Sequence, residues 1–222
     1  MVNPTRGILI TNERNSYSAI KDWCSKRGIP FSQKSFIKTV GVPHLNIPSS
    51  DWIFFSSPNS ISTYLAHYSI NAKKIAVYGE GSEREALKHG LNIDFVGPIE
   101  NNPKTIAQFF DNDPGSTIFF PLSQRSKRSI IKEIGKATVF ELETYKTIIQ
   151  PSLVQSHEVL IFTSPSNLEG FLVLNKISDN QTLIAYGRTT EAALLSLNLS
   201  NTIITLKTST ELELEKVIRK LF

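Results

Sequence analysis

Short runs of consecutive apolar residues alternate along this chain with stretches whose apolar positions recur every three or four residues. That alternation predicts strands at 8–11, 52–56, 74–78, 93–96, 117–120, 159–163, 182–186 and 202–206. It predicts helices at 16–27, 59–69, 82–89, 103–110, 124–134, 166–175, 189–196 and 210–221. Strands that are apolar throughout must be covered on both faces, which is the pattern of a parallel sheet in an α/β fold. Three pairs have the spacing of a capping box at a helix start: Ser82 with Glu85, Ser166 with Glu169 and Thr210 with Glu213.

The pattern is written twice. Residues 51–65, DWIFFSSPNSISTYL, match 158–172, EVLIFTSPSNLEGFL, at an offset of 107. AVYGEGSEREAL at 76–87 matches IAYGRTTEAALL at 184–195, and QKSFIKT at 33–39 matches ELETYKT at 141–147, both at an offset of 108. The opening strand at Gly7–Thr11 has a looser counterpart at Thr117–Pro121. Common order and nearly constant spacing point to duplication of a unit of roughly a hundred residues.

The stretches around Ser35–Val40 and Glu143–Ile148 are polar and β-branched, and suit extended connectors. Two connectors imply two crossings, with a discontinuous domain 1 of residues 1–36 and 147–222 and an inserted domain 2 of residues 37–146. Simple tandem domains with one crossing near residue 115 are the competing arrangement.

The chain has 222 residues, enough for two small cores, and 40% of them are hydrophobic. Its net charge of +4 is shared evenly between the halves, so it favours an anionic ligand only weakly. Aromatic residues lie inside strands rather than among basic ones, which argues against a nucleic-acid surface. The single cysteine, Cys24, excludes an intrachain disulfide and reads as a small buried hydrophobe. His44, His67, His89 and His157 have no ligand spacing, so no metal site is expected. The chain lacks a complete dinucleotide fingerprint, a Gly-Lys-Ser/Thr phosphate loop and a G-x-S-x-G elbow. No apolar run of signal-peptide or membrane-spanning character appears, and a cytoplasmic protein without membrane contact is expected.

Ligands of open α/β sheets gather at strand carboxyl ends, where helix N-termini offer backbone donors. Four loops there carry hydroxyls and contain the candidates Ser57, Ser82, Ser164, and Arg188 with Thr189 and Thr190. Each can hold an anion or simply cap its helix. Arg125, early in the predicted helix 124–134, belongs to a basic run that can gather anions or form a solvated face. Arg14 and Lys146 are further cationic candidates. Tyr145 lies in the second connector, where its phenol can look into the space between domains or pack against one of them.

Together these segments resemble uroporphyrinogen-III synthase. The resemblance is carried by ILIT, FFSSPNSI, IAVYGEGSEREALKHG, ETYKT, FTSPSNLEGF and YGRTTEAAL, and spans nearly the whole chain. It implies two flavodoxin-like α/β domains with parallel sheets covered by helices, joined by two extended connectors. It implies an enzyme that cyclises hydroxymethylbilane to uroporphyrinogen III, with inversion of ring D and loss of water, using neither metal nor organic cofactor. The family's cleft tyrosine falls on Tyr145 and its hydroxyl residues on Ser164, Thr189 and Thr190, with Tyr145 and Thr190 the catalytic expectations. Ser57, Ser82, Arg125, Ser164, Arg188 and Thr189 are the expected substrate contacts. A monomer is expected, receiving the bilane by transient handover from hydroxymethylbilane synthase. The alternative is a non-catalytic two-lobed binder of tetrapyrroles or small anions. Two positions depart from the family pattern: Asn12 follows Thr11 where many bacterial members have arginine, and Leu122 follows Pro121.

Overall fold

The computed structural model describes residues 4–13, 17–98 and 102–222. It divides into two compact units, Met1–Lys38 with Ile148–Phe222, and Thr39–Thr147. The chain therefore leaves the first unit once and returns once. Both divisions fall inside strands.

The first unit contains β1 (Thr5–Ile10), α1 (Ser18–Ser25) and β2 (Phe31–Gln33). After the inserted unit it continues with β9 (His157–Phe162), α5 (Pro165–Leu172), β10 (Thr182–Ala185), α6 (Arg188–Leu195), β11 (Ile203–Thr205) and α7 (Glu211–Leu221). Its sheet runs β11-β10-β9-β1-β2, and every pair is parallel. Successive strand residues serve opposite faces. Ile8, Ile10, Val159, Ile161 and Ile184 meet Ile20, Trp23, Leu214 and Ile218 of α1 and α7. Leu9, Leu160, Phe162 and Leu183 meet Leu168, Phe171 and Leu194 of α5 and α6. Each fully buried Ile, Leu or Phe contributes roughly 1.5–3 kcal/mol. Cys24 is part of this core, and burial raises its thiol pKa.

The second unit contains β3 (Ile37–Gly41), β4 (Ser50–Phe55), α2 (Pro58–Leu65), β5 (Ala72–Tyr78) and α3 (Gly79–Lys88). It continues with β6 (Phe95–Gly97), α4 (Pro103–Asp111), β7 (Thr117–Ser123) and β8 (Thr138–Ile149). Its sheet runs β3-β8-β7-β4-β5-β6, with β4, β5, β6, β7 and β8 paired in parallel. Phe54, Phe120 and Leu122 pack under α4, while Ile53, Phe55 and Phe119 pack under α2 and α3.

The sheet orders explain the repeat. By sequence correspondence β4, β5 and β6 are the counterparts of β9, β10 and β11, and β7 and β8 those of β1 and β2–β3. Under that mapping β6-β5-β4-β7-β8 repeats the order β11-β10-β9-β1-β2, and β3 adds an edge strand to the second sheet. Each unit thus combines the opening strands of one repeat with the closing strands of the other. The duplicated halves are exchanged, as in a swapped dimer joined into one chain.

The predicted helix at 124–134 does not form. Only a single 3-10 turn, Ile131–Glu133, is helical there. Ser123 Oγ accepts from Arg125 N–H and Ser126 Oγ from Arg128 N–H. These local bonds compete with the helical ladder. Arg128 then takes φ 53°, a left-handed conformation that ends any helix. Ile130, Ile131 and Ile134 still cover the sheet beside α4, so the apolar pattern survives without the helix.

Candidate active site

The first element of the site in the second unit is the start of α2. Ser57 is the N-cap: its Oγ accepts from Ser60 N–H at 3.2 Å, and Ser57 N–H donates back to Ser60 Oγ at 3.3 Å. Pro58 at the first helical position suits this start, because its missing N–H would have no helical partner. The Tyr145 hydroxyl lies 3.1 Å from Ser57 Oγ. Tyr145 sits on β8 and is 5% exposed, so the phenol is packed within the second unit; Ser57 is the more accessible member of the pair. Burial raises the Tyr145 pKa above its ordinary 10, against the opposing hydrogen bonds from Ser57 and Ser123. The phenol therefore stays protonated at neutral pH and can donate a hydrogen bond or a proton.

A cavity of about 170 Å³ lies at the carboxyl ends of β4, β5 and β7, lined by Ser56, Tyr78, Leu122, Lys127 and Arg128 among others. Arg128 is held there by Glu141 at 3.0 Å and Glu143 at 3.2 Å, both on β8. Tyr78 precedes α3 and gives it no side-chain cap.

In the first unit, Ser164 is the N-cap of α5, accepting from Asn167 N–H at 3.2 Å. Gly187 begins α6 without a side-chain cap, and Arg188 and Thr189 of its first turn are exposed. That turn offers amide donors beside a guanidinium, a combination suited to a carboxylate. Thr190 is 2% exposed and forms part of α6 itself, with its N–H on the Gly187 carbonyl.

The expected residues thus separate. Ser57 and Tyr145 are in direct contact, whereas Ser164 and the Arg188–Thr189–Thr190 turn belong to the other unit. Ser82 is no cap: α3 begins at Gly79, so Ser82 lies inside the helix, 1% exposed, its hydroxyl without a partner among the described residues. Ser166 likewise falls inside α5, two residues after the true cap, whereas Thr210 does cap α7. Arg125 is exposed in the turn after β7 rather than on a helix. Arg14 lies outside the described residues. Asn12 presents its carbonyl to Gln33 Nε2, and Leu122 is buried in β7. Arg128 belongs to the basic run singled out in the sequence, whereas nothing there marked Ser123 or Asn167 as residues that hold the site. Among the described residues, no group of three or more His, Cys, Asp or Glu side chains is arranged to hold a metal ion. No described helix is long and apolar enough to cross a membrane.

The family model described as Uroporphyrinogen-III synthase HemD matches residues 34–211 of this chain. The chain belongs to the uroporphyrinogen-III synthase family. A uroporphyrinogen-III synthase from Chlorobaculum parvum is 27% identical, the match covering 76% of this chain and 83% of that one. The solved uroporphyrinogen-III synthetase of Helicobacter pylori superposes with a TM-score of 0.70 at 15% identity, over 98% of this chain and all of that one. A mutant uroporphyrinogen III synthase of Thermus thermophilus gives a TM-score of 0.57 at 14% identity, over 98% and 99% of the two chains. The structural likenesses support the α/β fold with two parallel, helix-covered sheets. The segment matching the uroporphyrinogen-III synthase family includes Ser57, Tyr145, Ser164 and Thr190, and leaves β1 and Asn12 outside it.

Proposed function

We propose that this protein cyclises hydroxymethylbilane to uroporphyrinogen III, with inversion of ring D and loss of water. The observation that carries the reading is the buried, neutral Tyr145 phenol anchored on the Ser57 cap, within the segment that matches the family. The flavodoxin-like description of each domain is supported by the sheet order of the first unit, which reads 2-1-3-4-5 when its strands are numbered along the chain.

The chemistry asks little of a strong nucleophile. Pyrrole electrons of the bilane expel its hydroxyl as Tyr145 donates a proton to that oxygen, giving an electrophilic azafulvenium cation, water and the Tyr145 phenolate. The substituted carbon of ring D attacks this carbon and forms a spiro intermediate. Cleavage of the ring's former bond and reclosure then deliver ring D inverted, and the proton lost as the pyrrole regains its aromaticity restores the Tyr145 phenol. The protein's part is to hold a flexible chain in the geometry that favours this closure over direct closure. Arg188, Thr189 and Ser164 of the first unit, and Arg125 of the second, are the donors proposed for substrate acetates and propionates. Thr190 is proposed to shape the α6 turn beside them. No cofactor is called for, because the bilane supplies its own electrophile.

An isomer-resolved assay tests this reading. Purified protein given freshly generated hydroxymethylbilane should form the type III isomer faster than spontaneous closure forms type I. Type I alone, at the spontaneous rate, would overturn the enzyme. Saturable binding without type III would favour the non-catalytic tetrapyrrole binder.

A further inference from the structure

Asn167 occupies the place in α5 that Ser60 occupies in α2, and makes bonds that a serine cannot. Asn167 is 5% exposed, and both ends of its amide are engaged. Nδ2 donates to Thr163 Oγ1 at 3.3 Å and to Ser164 Oγ at 3.2 Å, while Oδ1 accepts from Phe36 N–H at 2.8 Å. The orientation is determined by chemistry, since the Phe36 N–H needs an acceptor and the two hydroxyls can accept from an amine.

Both ends of this link are themselves held. Thr163 N–H donates to Thr11 Oγ1 at 3.0 Å, and Thr163 Oγ1 donates to the Thr11 carbonyl at 2.8 Å. Phe36 is fully buried, lies edge-on to Phe171 at 5.3 Å, and its carbonyl accepts from Gln150 N–H at 2.8 Å. Phe36 is near where the chain leaves the first unit and Gln150 near where it returns.

We infer that Asn167 is a positioning residue that locks the Thr163–Ser164 turn to the backbone of both crossings where they leave and enter the first unit. The inference rests on the reading of Ser164 as a substrate contact. Substrate that orders the turn then tightens the crossing, and loosening the crossing weakens substrate binding, as reciprocity of coupled equilibria requires.

The test compares wild type with Asn167→Ser, which recreates the residue of α2, and Asn167→Asp, which keeps an acceptor for Phe36. Three quantities are measured per folded molecule: amide hydrogen exchange at Phe36, KM for hydroxymethylbilane, and kcat for type III formation. In N167S the Phe36 amide should exchange roughly tenfold faster, the worth of one buried hydrogen bond. KM should rise about fivefold, with kcat within about twofold, if the turn contributes ground-state binding. In N167D the Phe36 amide should stay protected. Faster exchange in N167S with unchanged KM would show a purely structural bond and overturn the inference. Loss of Phe36 protection in N167D, or unchanged protection in N167S, would overturn the assignment of the acceptor; the N167D result decides this even if N167S does not fold. Absence of type III product from wild type would instead remove the functional reading beneath it.

Discussion

Two helices of this molecule begin on the same Ser-Pro pair, in Ser57-Pro58-Asn59-Ser60 of the second unit and Ser164-Pro165-Ser166-Asn167 of the first. Their cap serines share one backbone conformation, φ −162° and ψ 157° or 158°, and each accepts the amide three residues on. What reaches each serine differs. Ser57 receives a phenol from β8, so a crossing strand comes to the cap with a proton-bearing side chain. Ser164 receives the carboxamide of its own helix, which reaches out to the backbone of the other crossing. Duplication copied the cap, and the two copies were then tied to the crossings by unlike chemistry. Only the tie in the second unit can supply a proton.

Removing the two ties should therefore have unequal consequences. Tyr145→Phe is expected to lower kcat for type III formation by roughly tenfold to a hundredfold, the lower range of general acid contributions. Its unfolding free energy should fall by only about 1 kcal/mol, the usual worth of one hydrogen bond. Ser164→Ala should cost roughly 0.5–2 kcal/mol as a lost cap and act mainly on KM. Equal kcat losses from the two substitutions would erase the distinction between the caps.

The packing behind the caps differs as well. Gly170 of α5 lies so close to the crossing that a Cβ there would overlap the Phe36 carbonyl. Its counterpart in α2 is Thr63, a residue with a full side chain, 8% exposed. Gly170→Ala should destabilise the first unit by roughly 1–3 kcal/mol, since the obstacle is backbone that cannot rotate away. Thr63→Ala should cost about 1 kcal/mol, because it removes a few buried atoms and creates no clash. Denaturant unfolding, followed by hydrogen exchange in each unit, separates the two; a tolerated Gly170→Ala would mean the crossing is not clamped against α5.

This contrast also shows what could be read from the chain. The repeat, the strands and the helix faces were legible because apolar periodicity records which side of each element is covered. The FTSPS and FSSPN turns were legible as caps or ligand loops, without a choice between those roles. Capping boxes at Ser82–Glu85 and Ser166–Glu169 misled because spacing alone does not say where a helix starts. Gly79 and the Ser-Pro pair start their helices earlier. The 124–134 segment misled because its isoleucines have helical spacing while its serines bond locally to the backbone. Asn167 carried no signal of its own. Its partner Phe36 is distant in sequence, and only the mismatch with Ser60 across the repeat marked the position.

The smallest expected effect concerns the far ends of the same strands and separates the two units by pH. At the start of β9 stands His157, where the repeat places Ser50 in β4. His157 is buried, with Nδ1 at 2.6 Å from the Gln155 carbonyl and Nε2 at 3.0 Å from Ser32 Oγ. A carbonyl can only accept, so Nδ1 carries the hydrogen and Nε2 accepts from the serine. Burial lowers the His157 pKa below its ordinary 6.5, against the opposing bond to Gln155. The folded state therefore binds the proton less readily than the unfolded chain. Stability from this group is complete above pH 6.5 and declines as pH falls from there towards the lower folded pKa. In the second unit the neighbouring carboxylate, Asp51, is shifted down by Lys73 and by two bonds from Thr117, so its contribution persists until pH falls below the ordinary carboxylate range. On mild acidification the first unit should weaken before the second. Hydrogen exchange of β9 and β4 core amides at pH 7.0 and 5.5 reads this directly, with faster opening expected only in β9. His157→Gln, which keeps a donor and an acceptor but cannot titrate, should remove the difference. A β9 response that persists in H157Q would place the acid-sensitive group elsewhere in the first unit.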